Sequence, residues 1–307
     1  MKKSKILSNI KKAALVNTIA LSSLAADAQR EPAFAGRSEY IEVEKNVRLH
    51  VTDLGEGKPV VLIHGWPLSD AMYEYQYSAL VEKGFRVIGI TLRGFGQSDK
   101  PYGNYNYDVF ADDIKVVLDK LNIQNAILGG FSMGGATVIR YVAKYNAAHV
   151  SKLALFGAAA PVWTKRADFP YGFWSKEDVN GLIELNKTNR MQLIENFGKI
   201  FTASETSLDK GLGDWITRIN WQASGYAMGQ ALATLRDSDL RSDVAKISIP
   251  TLIIHGKLDK ICSYDLAEQT QKLIKHSVLV PFEKSGHAPF LEEVNKFNAE
   301  LIKFARQ

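Results

Sequence analysis

Apolar and polar residues alternate in only one part of the chain. "YIEVEK" (residues 40–45) and "VRLHVTD" (47–53) alternate through Ile41–Glu44 and Val47–Thr52, which predicts two antiparallel strands with one wet face. "LGEGKP" (54–59) supplies turn chemistry before the next element. The runs "VVLIH", "RVIGIT", "NAILGG", "SKLALFG", "TLIIHG" and "SVLVPF" are short and β-branched, without alternation. Such runs suit strands buried on both faces of a parallel sheet. Between them lie helical patterns at Met72–Lys83, Tyr107–Leu121, Met133–Tyr145, Tyr264–Ile274 and Phe290–Ala305. In the second, Phe110, Ile114, Val117, Leu118 and Leu121 fall on one stripe.

Strand and helix in alternation predict an α/β fold: a mostly parallel, eight-stranded sheet covered by helices on both sides. The alternation stops between Pro161 and Leu235, where aromatic residues and helix-like runs replace strands. We expect residues 29–160 and 236–307 to form the core, with 161–235 a helical cap over the C-terminal edge of the sheet. No internal repeat or low-complexity segment interrupts this plan.

The chain has 307 residues, 46% of them hydrophobic, enough to bury a substantial core. Its formal charge of +5 is concentrated at the N-terminus, where Lys2, Lys3, Lys5, Lys11 and Lys12 face a single acid, Asp27. The remainder is close to neutral, so no nucleic-acid partner is expected. The lysines precede an apolar run, Ala13–Ala26, and a small-x-small site, Ala26-Asp27-Ala28. Residues 1–28 therefore read as a secretory signal peptide, with export to the periplasm or medium expected and a cytoplasmic chain the alternative. The run is too short to span a bilayer stably. Cys262 is the single cysteine, which excludes an intrachain disulfide and reads as a small packing residue.

Gly130-Phe131-Ser132-Met133-Gly134 matches G-x-S-x-G, with a buried strand before it and a helix after it. That context is the nucleophile elbow, a strained turn that exposes a serine hydroxyl at the sheet edge. A serine needs a base, and the base needs an acid to orient it. Of six histidines, His287 in "SGHAPF" follows the last strand. His50 and His149 read as structural or surface residues, His276 as the start of a strand, and His255 as a strand end. His64 reads as an organiser of its loop. Asp259 in "HGKLDKI" lies just beyond "TLIIH", whereas "AAAPVW" after the preceding strand offers no carboxylate. Ser132, Asp259 and His287 are thus the candidate catalytic residues, in the chain order this fold requires. The amides of Met133 and Trp66 are the candidate oxyanion donors. Trp66, Phe131 and Phe290 adjoin these residues and are expected near substrate, with Trp163, Trp174, Trp221 and Tyr226 as candidates from the cap.

"LIHGWPLSDAMYEYQ", "LRGFGQSDKP", "FADDI", "GFSMGG", "HGKLD" and "GHAPFLEEVNKFNAEL" together resemble the α/β-hydrolase superfamily. Within it they are most similar to the cofactor-free, non-haem haloperoxidase, perhydrolase and aryl-esterase group, over residues 39–307. The resemblance implies that Ser132 is nucleophile, His287 base and Asp259 acid, with Trp66 and Met133 giving the oxyanion amides. It further implies that Pro67, after Trp66, accompanies perhydrolysis. Three departures stand out. The first aspartate of D-x-R-G-x-G is replaced by Thr91, Lys257 stands where relatives often carry a second acid, and the cap matches loosely.

The expected activity is hydrolysis of small or aromatic carboxylic esters through an acyl-enzyme, with cofactor-free perhydrolysis beside it. A C–C bond or lactone hydrolase would use the same triad, and a non-catalytic ligand-binding scaffold is the alternative from another class. The sequence contains no HExxH or paired CxxC, and Gly94-x-Gly96 lacks a third fingerprint glycine, so no metal or other cofactor is expected. The expected partner is a small-molecule ester or carboxylic acid; homo-oligomerisation is left open.

Overall fold

The computed structural model describes residues 37–307, and the signal peptide expected at 1–28 lies outside them. All the expected strands form: β1 (Arg37–Glu44), β2 (Val47–Leu54), β3 (Lys58–Ile63), β4 (Phe85–Ile90), β5 (Ala126–Phe131), β6 (Val150–Phe156), β7 (Thr251–Gly256) and β8 (Ser277–Phe282). They make one eight-stranded sheet in the order β1-β2-β4-β3-β5-β6-β7-β8. β2 is antiparallel to both its neighbours, with Tyr40 opposite His50 and Val51 opposite Ile90; every pairing from β4 to β8 is parallel. All the non-alternating runs but the last form the central strands, and every residue of β5 and β7 is buried. β8 closes the far edge and carries Pro281, whose missing N–H an edge strand tolerates; Lys296 Nζ donates to the Pro281 carbonyl at 2.7 Å.

Crossovers between parallel strands are right-handed as a rule, so the direction of travel along the sheet decides which face a helix covers. α1 (Glu74–Val81) links β3 to β4, moving one way along the sheet; α2 (Tyr107–Lys120) and α3 (Met133–Tyr145) lead back the other way and cover the opposite face. The stripe of α2 is buried as its periodicity requires, and Asn106 caps the helix by accepting from the Val109 amide at 3.0 Å. Two expected helices start differently from their pattern. The Met72–Lys83 pattern begins as a 3₁₀ turn, Asp70–Tyr73, before α1. The Phe290–Ala305 pattern is broken at Glu293, whose φ of −126° and ψ of 52° are not helical.

Polar residues of the resembling motifs lock loops rather than face solvent. Arg93 makes a bidentate pair with Asp113 of "FADDI", both nitrogens at 2.7 Å. Thr91, standing where relatives carry aspartate, donates its hydroxyl to Asp70. Asp70 also accepts from Thr52 at 2.7 Å and Tyr77 at 2.9 Å, so a carboxylate from another loop lies against position 91.

Between β6 and β7 the sheet yields to helices, as the loss of alternation predicts. The segment after β6 is irregular, with isolated bridges joining Thr164 to Trp174 and Arg166 to Phe169. Then come α4 (Lys176–Thr188), α5 (Arg190–Phe201), α6 (Lys210–Trp221), α7 (Gly225–Asp237) and the short α8 (Arg241–Val244). Each of α4 to α7 starts at a side-chain cap: Ser175, Asn189, Asp209 and Ser224. At α4 the cap is a full box, with Asp178 returning a bond to the Ser175 amide. α9 (Tyr264–Leu273), α10 (Pro289–Glu292) and α11 (Val294–Arg306) complete the chain.

Candidate active site

Ser132 sits between the end of β5 and the start of α3 with φ 53° and ψ −117°, a conformation that costs a non-glycine residue about 1–3 kcal/mol. Its surroundings over-determine it. The Ser132 amide donates to the Phe156 carbonyl at 2.9 Å, and its own carbonyl accepts from Ala159 at 3.1 Å and Ala136 at 3.2 Å. The flanking glycines are required by close approach. A Cβ on Gly130 would lie 2.3 Å from the Gly134 carbonyl oxygen, and one on Gly134 would lie 2.4 Å from that of His64. The turn brings the serine to the lining of a cavity and aims the N-terminus of α3 at it.

Asp259 and His287 come from the loops after β7 and β8 and are brought together as the sequence predicts. His287 Nδ1 lies 2.7 Å from Asp259 Oδ2, with both side chains fully buried. The carboxylate needs a donor, so the proton sits on Nδ1 and leaves Nε2 as the ring's accepting atom. That nitrogen is buried and has no hydrogen-bond partner among the described residues. The His287 amide donates to the Phe201 carbonyl at 3.1 Å, and the ring packs 4.6 Å from that of Phe131. Burial alone would raise the Asp259 pKa. The charge on His287 and hydrogen bonds from His255 and His287 outweigh it and hold the carboxyl well below the ordinary aspartate range.

The amides of Trp66 and Met133 have no carbonyl partner among the described residues, which leaves both free to donate. Met133 is the first residue of α3, whose amide is one of the helix's unpaired donors. His64 organises the loop, as expected: Nδ1 donates to the Gly65 carbonyl at 2.9 Å, and Nε2 accepts from the Leu92 amide at 2.9 Å. Burial pushes its pKa down to about 4, so this imidazole is neutral at pH 7 and has no free nitrogen.

The cavity, about 80 Å³, is lined by Trp66, Ser132, Trp163, Trp174 and Ile261 and by residues of α4, α5 and α7. Trp66 Nε1 donates to the Met228 carbonyl at 3.1 Å, while Trp163 and Trp174 both donate to that of Ile261, at 2.9 and 3.0 Å. With their N–H groups so engaged, these indoles present carbon to the cavity. Ser132 and Asn196 are its polar side chains; the rest are leucine, isoleucine and aromatic.

Four aromatic residues expected near substrate lie elsewhere. Phe131 and Phe290 are fully buried with ring centres 5.0 Å apart, and Phe131 supports His287 from below. Trp221 is 50% exposed at the end of α6 and lines a separate surface groove between α5 and α6. Tyr226 is 37% exposed, stacks at 4.6 Å on Tyr102 and lies 5.9 Å from Tyr105, away from the cavity.

Other residues enter the site without having been singled out. Phe197 lines the cavity and meets Trp66 edge-on at 5.2 Å. Cys262, read as packing, is buried against the Ser132 side chain; burial pushes its thiol pKa well up, so it stays protonated. Glu292 ties the His287 loop to the end of α5, accepting from Gly286 at 2.8 Å and Ala203 at 2.7 Å. Only its place in "GHAPFLEEV" could have flagged it. Among the described residues, no group of three or more His, Cys, Asp or Glu side chains could hold a metal ion, and no helix is long and apolar enough to cross a membrane.

Comparison with known proteins bears on this arrangement. A family model described as alpha/beta hydrolase fold matches residues 58–294. The chain is 46% identical over 266 residues to the AB hydrolase superfamily protein YisY of Bacillus subtilis (strain 168), covering 87% of this chain and 98% of that one. Among solved structures, an esterase (EaEST) from Exiguobacterium antarcticum matches with a TM-score of 0.86 at 40% identity, over 88% of this chain and 100% of its own. A bromoperoxidase from Bacillus anthracis matches with the same TM-score and coverage at 32% identity.

Proposed function

Since the chain belongs to the α/β-hydrolase family of enzymes, we propose that it is a serine esterase for carboxylic esters with apolar acyl groups, working through an acyl-enzyme. The observation that carries this reading is the buried His287–Asp259 pair, which leaves one unpartnered imidazole nitrogen in a site where a strained serine lines an apolar cavity.

The steps follow from the proton positions. Ser132 Oγ attacks the ester carbonyl carbon while its proton passes to His287 Nε2; Asp259 stays ionised and stabilises the imidazolium. The carbonyl oxygen becomes an oxyanion and takes the Trp66 and Met133 amides. The C–O bond to the alcohol breaks, and the alcohol leaves with the proton from Nε2. Water, deprotonated by the same nitrogen, attacks the acyl-serine and releases the acid. The hydrogen bond between Ser132 Oγ and Nε2 forms as substrate binds; catalytic contacts of this kind are often long before that. Turnover of p-nitrophenyl acetate and butyrate, with Ser132→Ala beside the parent, tests the reading. Ser132→Ala is expected to lose on the order of 10⁴-fold in kcat while melting normally. A variant keeping a tenth of the activity would exclude Ser132 as nucleophile. Cleavage of lactones or C–C bonds in preference to open esters would move the substrate class and keep the triad.

Perhydrolysis is a second reading, favoured by Pro67 next to the oxyanion residue Trp66 and by the likeness to a bromoperoxidase. Acetic acid would acylate Ser132 with loss of water, and hydrogen peroxide would attack the acyl-serine and leave as peracetic acid. The peracid then oxidises bromide to hypobromite in solution and reverts to acetic acid. Bromination of a reporter dye should therefore vanish in carboxylate-free buffer and in Ser132→Ala. Bromination persisting in both would exclude this route.

A further inference from the structure

The Asp259 carboxylate receives a second imidazole. Its Oδ1 accepts from the amides of Ile261 at 2.8 Å and Cys262 at 2.9 Å. Its Oδ2 faces His287 Nδ1 at 2.7 Å and, from the end of β7, His255 Nε2 at 3.2 Å. His255 Nε2 also lies 2.8 Å from the Cys262 carbonyl. Both neighbours of Nε2 are acceptors, so this nitrogen carries the proton, with the Cys262 carbonyl its nearer acceptor and Asp259 Oδ2 the longer second one. Nδ1 is buried without a partner among the described residues, and the ring is held edge-on against Tyr264 with centres 5.9 Å apart. The two histidines therefore present opposite ring nitrogens to one oxygen atom.

We propose that His255 is a positioning residue for catalysis: its Nε2–H fixes the Asp259 carboxylate and shares the charge that Asp259 offers to His287. The inference rests on the serine-esterase reading and adds a fourth member to it. Two backbone amides alone would hold Oδ1 but leave Oδ2 answering only to His287. With His255 in place, each oxygen has two donors, and the carboxylate can neither turn nor concentrate its charge on one bond. The titratable groups around His255 are Asp259, His287 across it, the Cys262 thiol and Tyr264, over whose ring Lys257 Nζ lies 3.6 Å away.

Removing the donor has two expected consequences. A carboxylate with one donor fewer on Oδ2 is a stronger partner for the imidazolium, so the acid limb of kcat/KM moves to higher pH. It is also free to rotate, so kcat falls. His255→Phe keeps the ring volume and removes the donor, while His255→Gln keeps an N–H near the Nε2 position. With p-nitrophenyl acetate, His255→Phe should lower kcat on the order of ten-fold with little change in KM, and raise the acid limb by about half to one pH unit. His255→Gln should stay within about three-fold of the parent with its limb unmoved. A structural role alone would leave the limb in place for both. Ser132→Ala and Asp259→Asn run beside them separate the two readings. If both lose activity and His255→Phe keeps the parent's limb and kcat, only the role of His255 fails; if Ser132→Ala stays active, the esterase reading fails first. Nitrogen NMR of the histidines in the parent protein needs no variant: His255 should be the Nε2–H tautomer at pH 7, and the Nδ1–H tautomer would overturn the proposal even if His255→Phe does not fold.

Discussion

On the strand side of the cavity, polar side chains are buried and each has a defined partner. Asp259 takes donors on both oxygens, His64 uses both ring nitrogens, and Trp66 and Trp163 direct their N–H groups at carbonyls. On the helical side, Asn196 of α5 is the one polar lining residue; Leu193, Phe197 and Ile200 of α5 and Leu232 and Leu235 of α7 meet the cavity through carbon alone. Hydrogen bonds are directional and hold a side chain to a fraction of an ångström; apolar contact holds it only to a volume. The difference separates two tasks. The strand side can set the geometry of a reaction, and the helical side can set which groups fit beside it.

The sharpest way to break that division is at its most constrained member. Asp259→Asn changes one atom, keeps the shape, and turns an acceptor of the His287 proton into a group that can oppose it. We expect a loss on the order of 10³–10⁴-fold in kcat for p-nitrophenyl acetate, measured beside an unchanged circular dichroism spectrum. A loss under ten-fold would mean that another carboxylate orients the base.

A second test reads the constraint as stability. His64 has its pKa lowered from 6.5 to about 4, so over that interval the unfolded chain binds a proton that the folded chain refuses. Its contribution is complete above pH 6.5 and is lost as pH falls toward 4, an interval worth about 3 kcal/mol. Asp259 acts in a different window. Its folded pKa is lowered from 3.8, so its contribution is present above the ordinary aspartate range and disappears only in stronger acid. Buried Asp113 and Asp243 and half-buried Glu292 have raised pKa values and oppose the His64 slope, so the parent must be compared with a variant. Urea midpoints at pH 7 and 4.5 should fall more steeply for the parent than for His64→Gln; parallel slopes would show that His64 is not buried as described.

The helical side should yield to a smaller lever. Trp174 is half-buried, and its ring forms part of the cavity wall. Trp174→Ala is expected to leave kcat for the acetate ester within a few-fold and to shift the octanoate-to-acetate ratio of kcat/KM by about ten-fold toward the longer chain. A fall in kcat equal for both esters would place Trp174 among the residues that set reaction geometry.

The two sides also differ in how far they could be read in the sequence. β1 and β2 announce themselves by alternation and the other strands as apolar runs, and the catalytic candidates follow strand ends, so their positions track the topology of the sheet. Ser132, Asp259 and His287 are picked out as candidates in this way, and His64 as a loop organiser. Side-chain direction is not carried by proximity in the chain. Phe131 precedes Ser132 in an extended segment, where successive side chains point to opposite faces, and so it lies beneath His287 instead of beside substrate. His255 was read as a strand end, and nothing local shows that the loop carrying Asp259 folds back to its Nε2. In α4 to α7 the helices start at the caps Ser175, Asn189, Asp209 and Ser224, none of which is singled out from the sequence. Which face of each helix meets the cavity depends on how the helices cross, and amphipathic spacing leaves that open.

Trp221 and Tyr226 provide the smallest effect and a control on the whole comparison. Both lie on the helical insertion and both are aromatic, so composition alone would rank them with Trp174. Trp221 instead stands half-exposed at the end of α6, facing the groove between α5 and α6, which the cavity shares only through Phe197. Tyr226 rests on Tyr102 and donates to the Gly103 carbonyl at 3.3 Å, on the far side of α7 from Leu232 and Leu235. Substitutions at such positions usually change stability by no more than about 0.5 kcal/mol, and Tyr226 should exceed Trp221 because its ring stacks. Trp221→Ala and Tyr226→Ala are therefore expected to change kcat and KM for acetate and octanoate esters by less than about two-fold. If Trp221→Ala slowed the octanoate ester alone, the groove would be the path by which long chains reach Ser132, and Phe197 would be the residue that divides groove from cavity.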